Sequence, residues 1–153
     1  MASSQRAQFL ALVLSQMHAP YRWGGKGERD RATGQLVFDC SGLVTWALHE
    51  VGGPDWRPTH NTGRLWAECT RLKLGDVVLP GDLVLYHRQA DPTKPEHVMV
   101  VVGGGVVVGA SGGGPSTLTL ADAAKDGARV KSFARLDYRP RRMEGFLRLP
   151  FTS

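Results

Sequence analysis

The chain has 153 residues, the size of one compact domain and too short for a catalytic domain beside a separate targeting module. Apolar residues make up 42% and charged residues 22%, a balance that excludes a disordered tail protein and a membrane span. Lysine and arginine outnumber acids 19 to 14, which favours anionic partners, but no zinc-finger spacing or RNP-like aromatic pattern points to nucleic acid.

The first predicted element is a helix over residues 4–17, with Leu10, Val13, Leu14 and Met17 on one face. His18-Ala19-Pro20 ends it, because the residue before proline is steered away from helical angles. Its apolar run is short and no small-residue cleavage site follows, so the expectation is synthesis in the cytoplasm without a signal peptide. Tyr21-Arg22-Trp23-Gly24-Gly25 comes next, and the charged stretch 26–35, lacking apolar periodicity, reads as an exposed loop. After Leu36-Val37-Phe38, residues Leu43, Val44, Ala47, Leu48 and Val51 repeat at helical spacing until Gly52-Gly53-Pro54. Asp39 is placed to cap that helix, which puts Cys40 in its first turn.

An irregular polar stretch leads to Pro80-Gly81-Asp82 and a strand at Leu83-Val84-Leu85-Tyr86, then a charged, proline-containing loop over 88–96. Residues 97–102 and 106–108 read as two β-branched strands joined by Gly103-Gly104-Gly105, and 145–149 as a closing strand. Helices first and an antiparallel sheet second make the class α+β. Cys40 and Cys69 match no metal spacing; a bridge between them stays open, with one reactive and one buried thiol the preferred assignment.

Thiol chemistry needs a thiolate, and a helix N-terminus is expected to lower the pKa of Cys40 while its free amides hold an oxyanion. Of the five histidines, His97 alone opens a strand after a polar loop, which suits a base. His18, His49, His60 and His87 read as solvated or structural. The arginines at 135, 139, 141, 142 and 148 read as a solvated face, and the four tryptophans as core or groove wall.

Four segments taken together, Tyr21-x-Trp23-Gly24-Gly25, Phe38-Asp39-Cys40-Ser41-Gly42-Leu43-Val44, Pro80-Gly81-Asp82-Leu83-Val84 and His97-Val98, resemble the NlpC/P60 papain-like cysteine peptidases in order and spacing. The resemblance implies one catalytic domain over 1–153, with N-terminal helices packed on a central antiparallel sheet. It implies a peptidoglycan endopeptidase cutting the γ-D-glutamyl-diamino-acid bond of stem peptides, with Cys40 as nucleophile and His97 as base. It further implies that Tyr21, Asp39 and Ser41 bind the amino end of the substrate. No metal, cofactor, nucleic acid or membrane span is called for, and a monomer is expected. An enzyme of this kind lacking a leader would reach the bacterial wall at phage lysis, on a virion tail or through a secretion machine. A silent wall-binding or tail domain of the same fold, and a thiol amidase or acyltransferase, stay open beside this reading.

The chain departs from the family pattern twice. The loop before Cys40 is long, and the third catalytic position, twelve residues beyond His97, falls on Gly109. If Val102 and Val106 flank the glycine turn as a pair, the register places Val101 opposite Val107, Met99 opposite Gly109 and His97 opposite Ser111. The Ser111 hydroxyl, or a water in the space at 109, is then the expected partner of the imidazole, and Gly109→His is expected to cause no loss of activity.

Overall fold

The computed structural model describes residues 3–153, so the first two residues of the expected domain lie outside it. Helix α1 (Gln5–Ser15) begins at Ser4, whose hydroxyl accepts from the Ala7 amide, and buries Phe9 and Val13. Helix α2 (Cys40–Glu50) is buried along eight consecutive residues, Ser41 to Leu48. Such a helix must be covered on every side. The sheet and α1 cover part of it, and the rest is closed by a hairpin of β1 (Lys26–Arg29) and β2 (Leu36–Phe38). Residues 26–29 are therefore strand, and only 30–35 form the exposed loop that the charges suggest. Trp46 of α2 packs so close to Gly27 that a side chain there would collide with the indole.

Six strands form one antiparallel sheet: β3 (Thr70–Arg71), β4 (Leu83–Arg88), β5 (Asp91–Gly103), β6 (Val106–Ser111), β7 (Arg129–Phe133) and β8 (Met143–Arg148), in the order β3-β8-β4-β5-β6-β7. The expected α+β class stands. Two short helices, α3 (Thr62–Glu68) and α4 (Leu120–Asp126), fall where no element was predicted, as do β3 and β7. Strand β5 also starts earlier than the sequence suggests, at Asp91, because His87 and Arg88 pair with Pro95 and Asp91 through two register shifts.

Alternation divides the sheet into two faces. Leu83, Leu85, Val98, Val100, Val108, Ala110, Val130 and Leu147 face α1 and α2 and form the main core with Phe9, Val13, Leu43, Val44 and Leu48. Val84, Tyr86, Met99, Val101 and Val107 face the other way, where Phe133, Leu136, Tyr138 and Phe146 cover them. Segment 134–142, between β7 and β8, thus roofs the second face. Asp82 closes the structure at the start of β4: its side chain, fully buried, takes Arg6 at 2.9 Å and Arg148 at 2.8 Å, joining α1, β4 and β8.

Candidate active site

Asp39 organises the front of α2. Its Oδ1 accepts from the Gly42 amide at 2.6 Å and its Oδ2 from the Gly24 amide at 3.1 Å, while its own amide donates to the Gly25 carbonyl at 2.8 Å. One carboxylate therefore caps the helix and ties it to the Tyr21–Gly25 turn. Gly42 completes the joint. A Cβ there would overlap the Gly25 carbonyl oxygen, so only glycine lets the turn sit on the helix.

Cys40 follows the cap and stands partly buried at a cleft of about 700 Å³. Tyr21, Asp39, Cys40, Ser41, His97 and Ser111 all line this cleft, so the structure brings together every site residue expected from the sequence. Both cysteines are free thiols, which removes the bridge left open above.

The Cys40 sulfur lies 3.6 Å from the Thr62 hydroxyl, and no hydrogen bond joins it to His97. Its pKa is raised, first by burial of the thiol among its neighbours and then by the Asp39 charge; contacts from Thr62, Val98 and Ser41 only partly offset this. The expected low-pKa thiol is thus corrected: desolvation and an adjacent carboxylate outweigh the helix terminus. Asp39 is itself pushed up by burial, against the hydrogen bonds from the Gly42 and Gly24 amides.

His97 pairs with Tyr86 across β4 and β5, is 5% exposed, and is held well below the usual imidazole pKa by burial and by the nearby Arg139 and Arg142 guanidiniums. Burial thus disfavours the charged form of both groups. Buried Nε2 of His97 has no hydrogen-bond partner among the described residues, which leaves Nδ1 as the ring nitrogen available to the cleft.

Val101 does lie opposite Val107 and Val100 opposite Val108, but at the turn Val106 pairs with Gly103 through a register shift, not with Val102 as expected. The consequence drawn from the expected register does not hold. Ser111 is buried at the cleft yet gives His97 no hydrogen bond, and the space at 109 is filled: a Cβ on Gly109 would lie 2.6 Å from the Met99 sulfur. Neither a water pocket nor a ready seat for a histidine exists there.

Several cleft residues were not read from the sequence. Thr62 opens α3, and the Asn61 cap before it was the available signal. Arg139 and Arg142 line the cleft instead of a solvated face, Arg142 bonded to Glu96 at 2.6 Å and Arg139 without an acidic partner among the described residues. Trp23, half-exposed, forms part of the wall. His60 is structural as expected, stacked on Trp56 at 4.1 Å and bonded to Glu68 at 2.9 Å.

The NlpC/P60 family profile matches residues 18–127. The chain belongs to the NlpC/P60 family. Murein DD-endopeptidase MepH of Escherichia coli is 34% identical over 104 residues, covering 67% of this chain and 35% of that protein. Peptidoglycan endopeptidase RipA of Mycobacterium tuberculosis is 30% identical over 99 residues, covering 59% and 19%. The chain spans about a fifth to a third of the length of these relatives. Among solved structures, NlpC1 from Trichomonas vaginalis superposes with a TM-score of 0.70 at 22% identity, covering all of this chain and 46% of that one. The NlpC/p60 domain of the peptidoglycan hydrolase SagA gives 0.62 at 22% identity, covering 94% and 98%. The NlpC/P60 fold of the whole described chain accounts for the order of the four sequence segments.

Proposed function

We propose that this NlpC/P60 chain acts as a single catalytic domain, a cysteine endopeptidase that hydrolyses peptide bonds in the stem peptides of peptidoglycan. The observation that carries the reading is the convergence of Cys40, at the capped start of α2, and His97, at a rigid strand, on one cleft. Polarity along the cleft suits such a substrate: Asp39 and Tyr21 lie toward α2 and could take an amino end, while Arg139 and Arg142 lie on the His97 side and could take carboxylates.

In this mechanism Nδ1 of His97 takes the Cys40 proton as the sulfur attacks the amide carbonyl. The Cys40 amide, one of the first-turn donors with no acceptor inside the helix, faces the developing oxyanion. His97 then protonates the leaving amine, a thioester remains on Cys40, and a water activated by the same ring releases the acid. A γ-D-glutamyl-diamino-acid bond with a free amino end one residue upstream is the proposed target, read by Tyr21, Asp39 and Ser41.

Mass spectrometry of purified peptidoglycan fragments tests this. New termini at the γ-D-glutamyl bond should appear with the wild-type chain and vanish with Cys40→Ala; full activity in Cys40→Ala would remove the proposal. Equal turnover of N-acetylated and free L-Ala-γ-D-Glu-diaminopimelate would show that the amine is not read. If the wild type releases nothing, the silent wall-binding reading stands in its place; the unusual Gly109 is what favours it. A phage or secretion route to the wall fits an enzyme of this type.

A further inference from the structure

The second face of the sheet holds two buried polar atoms without hydrogen-bond partners among the described residues near the reacting pair: His97 Nε2 and the Tyr138 hydroxyl. Orphans of this kind are uncommon in folded proteins, and two on touching rings call for a common cause. The rings meet edge to face, with centroids 6.2 Å apart. Tyr138 is held firmly in that position. It stacks on Phe133 at 3.9 Å and meets Tyr86 edge-on at 5.2 Å, while the Tyr86 hydroxyl donates to the Leu136 carbonyl at 2.5 Å and pins segment 134–142.

The Tyr138 hydroxyl lies near the Ser111 side chain. Burial raises the phenol's pKa, and the Arg139 charge with the Ser111 and Arg139 side chains nearby offsets this only in part, so the group stays a neutral phenol that can both accept and donate. No hydrogen bond of proper geometry joins the two hydroxyls. Position 109 offers nothing to Nε2, since its place is taken by Met99, and Ser111 does not bond the ring.

We propose that Tyr138 is the positioning residue for His97, its hydroxyl accepting a hydrogen bond from Nε2–H and donating its own to Ser111 Oγ, in place of the side chain that Gly109 lacks. The inference rests on the catalytic reading of His97 given above. An accepted bond at Nε2 fixes the tautomer with the proton there and leaves the Nδ1 lone pair facing the thiol; it also supports the imidazolium that forms when the thiol proton arrives. Catalytic hydrogen bonds are commonly open before substrate binds and tighten in the complex.

The test compares wild type, Tyr138→Phe and Ser111→Ala by nitrogen-15 NMR of the histidine side chains and by kcat and KM on peptidoglycan-derived peptides. Tyr138→Phe keeps the ring and its stacking, so folding is not at issue. Wild-type His97 should show the Nε2–H tautomer, and Tyr138→Phe should shift it toward a mixture and lower kcat about tenfold or more with KM little changed. Ser111→Ala should lower kcat less, because it acts one bond further away. An Nδ1–H tautomer in the wild type, or an unchanged tautomer in Tyr138→Phe, overturns the proposal. Because the tautomer is read without substrate, absence of any hydrolysis by the wild type would count against the peptidase reading and leave this one decidable.

Discussion

At the scale of single residues, the resting state of Cys40 sets a pH signature. A thiol raised above its ordinary 9.0 is a poor nucleophile alone, so alkylation of Cys40 by iodoacetamide should climb steeply above about pH 9 without an acid plateau. Cys69, pushed up to about 11 by burial, should likewise be sluggish near neutral pH. Catalysis would depend on neutral His97, whose pKa is lowered, so the acid limb of kcat/KM should lie below the imidazole's ordinary 6.5. The same shift acts on stability. Unfolded chain takes up a proton near pH 6.5 and folded His97 does not, so stability falls as pH drops from there toward the folded pKa. A His97→Gln variant should flatten that part of the curve of unfolding free energy against pH. Gly109→His, expected from the strand pattern to be harmless, should instead lower stability by about 1–3 kcal/mol in a denaturant titration, since the Met99 sulfur must move out of a filled core. Cys40 and His97 could be found from sequence because each sits at the edge of an element with a local signal, a capping aspartate or a polar-to-β-branched switch. Tyr138 could not: it lies in an irregular segment, and its role comes from a sheet face that alternation predicts but whose roof it does not.

Among elements, the junction of the Tyr21–Gly25 turn with α2 is the most sensitive. Gly42→Ala would drive a methyl into the Gly25 carbonyl, backbone against backbone, and force the helix start off the turn. The expected result is loss of folding or of at least about 3 kcal/mol, together with lost thiol reactivity, measured by thermal denaturation and by alkylation of Cys40. The helices α1 and α2 and the strands β4, β5 and β6 were legible because their apolar residues recur at 3.6 or 2 and their ends carry Ser4, Asp39 or glycine. Other elements escaped for physical reasons. Helices α3 and α4 are only seven residues each, too short for periodicity to show, although α4 carries a capping box between Thr119 and Asp122. Strand β1 is charged because one side of its hairpin is solvent and the other covers Trp46. Strand β7, Arg-Val-Lys-Ser-Phe, does alternate, but its pattern is brief and half polar.

For the molecule as a whole, Asp82 acts as the clasp. Burial raises its pKa, but bonds from Arg148, the Leu79 amide and Arg6 lower it further, so the carboxyl ends below its usual range. A depressed carboxylate contributes stability above its unfolded pKa and loses it as pH falls through the folded value, so acid unfolding should set in below about pH 4. Asp82→Asn keeps the shape but leaves two arginines facing a neutral amide. It should cost about 3 kcal/mol and shift that acid transition, both visible in urea titrations at pH 7 and pH 4.

The sheet order carries a consequence for the timing of synthesis. β8, the final strand in sequence, is inserted between β3 and β4. A nascent chain that still lacks residues 143–148 has an unpaired β4 edge, no partner for β3 and nothing to anchor the far end of the segment bearing Tyr138 and Arg139. Cleft and cleft roof are therefore completed together, once residues 143–148 have emerged. Until then the cleft is unfinished, and the open β4 edge is the surface a chaperone would have to shield.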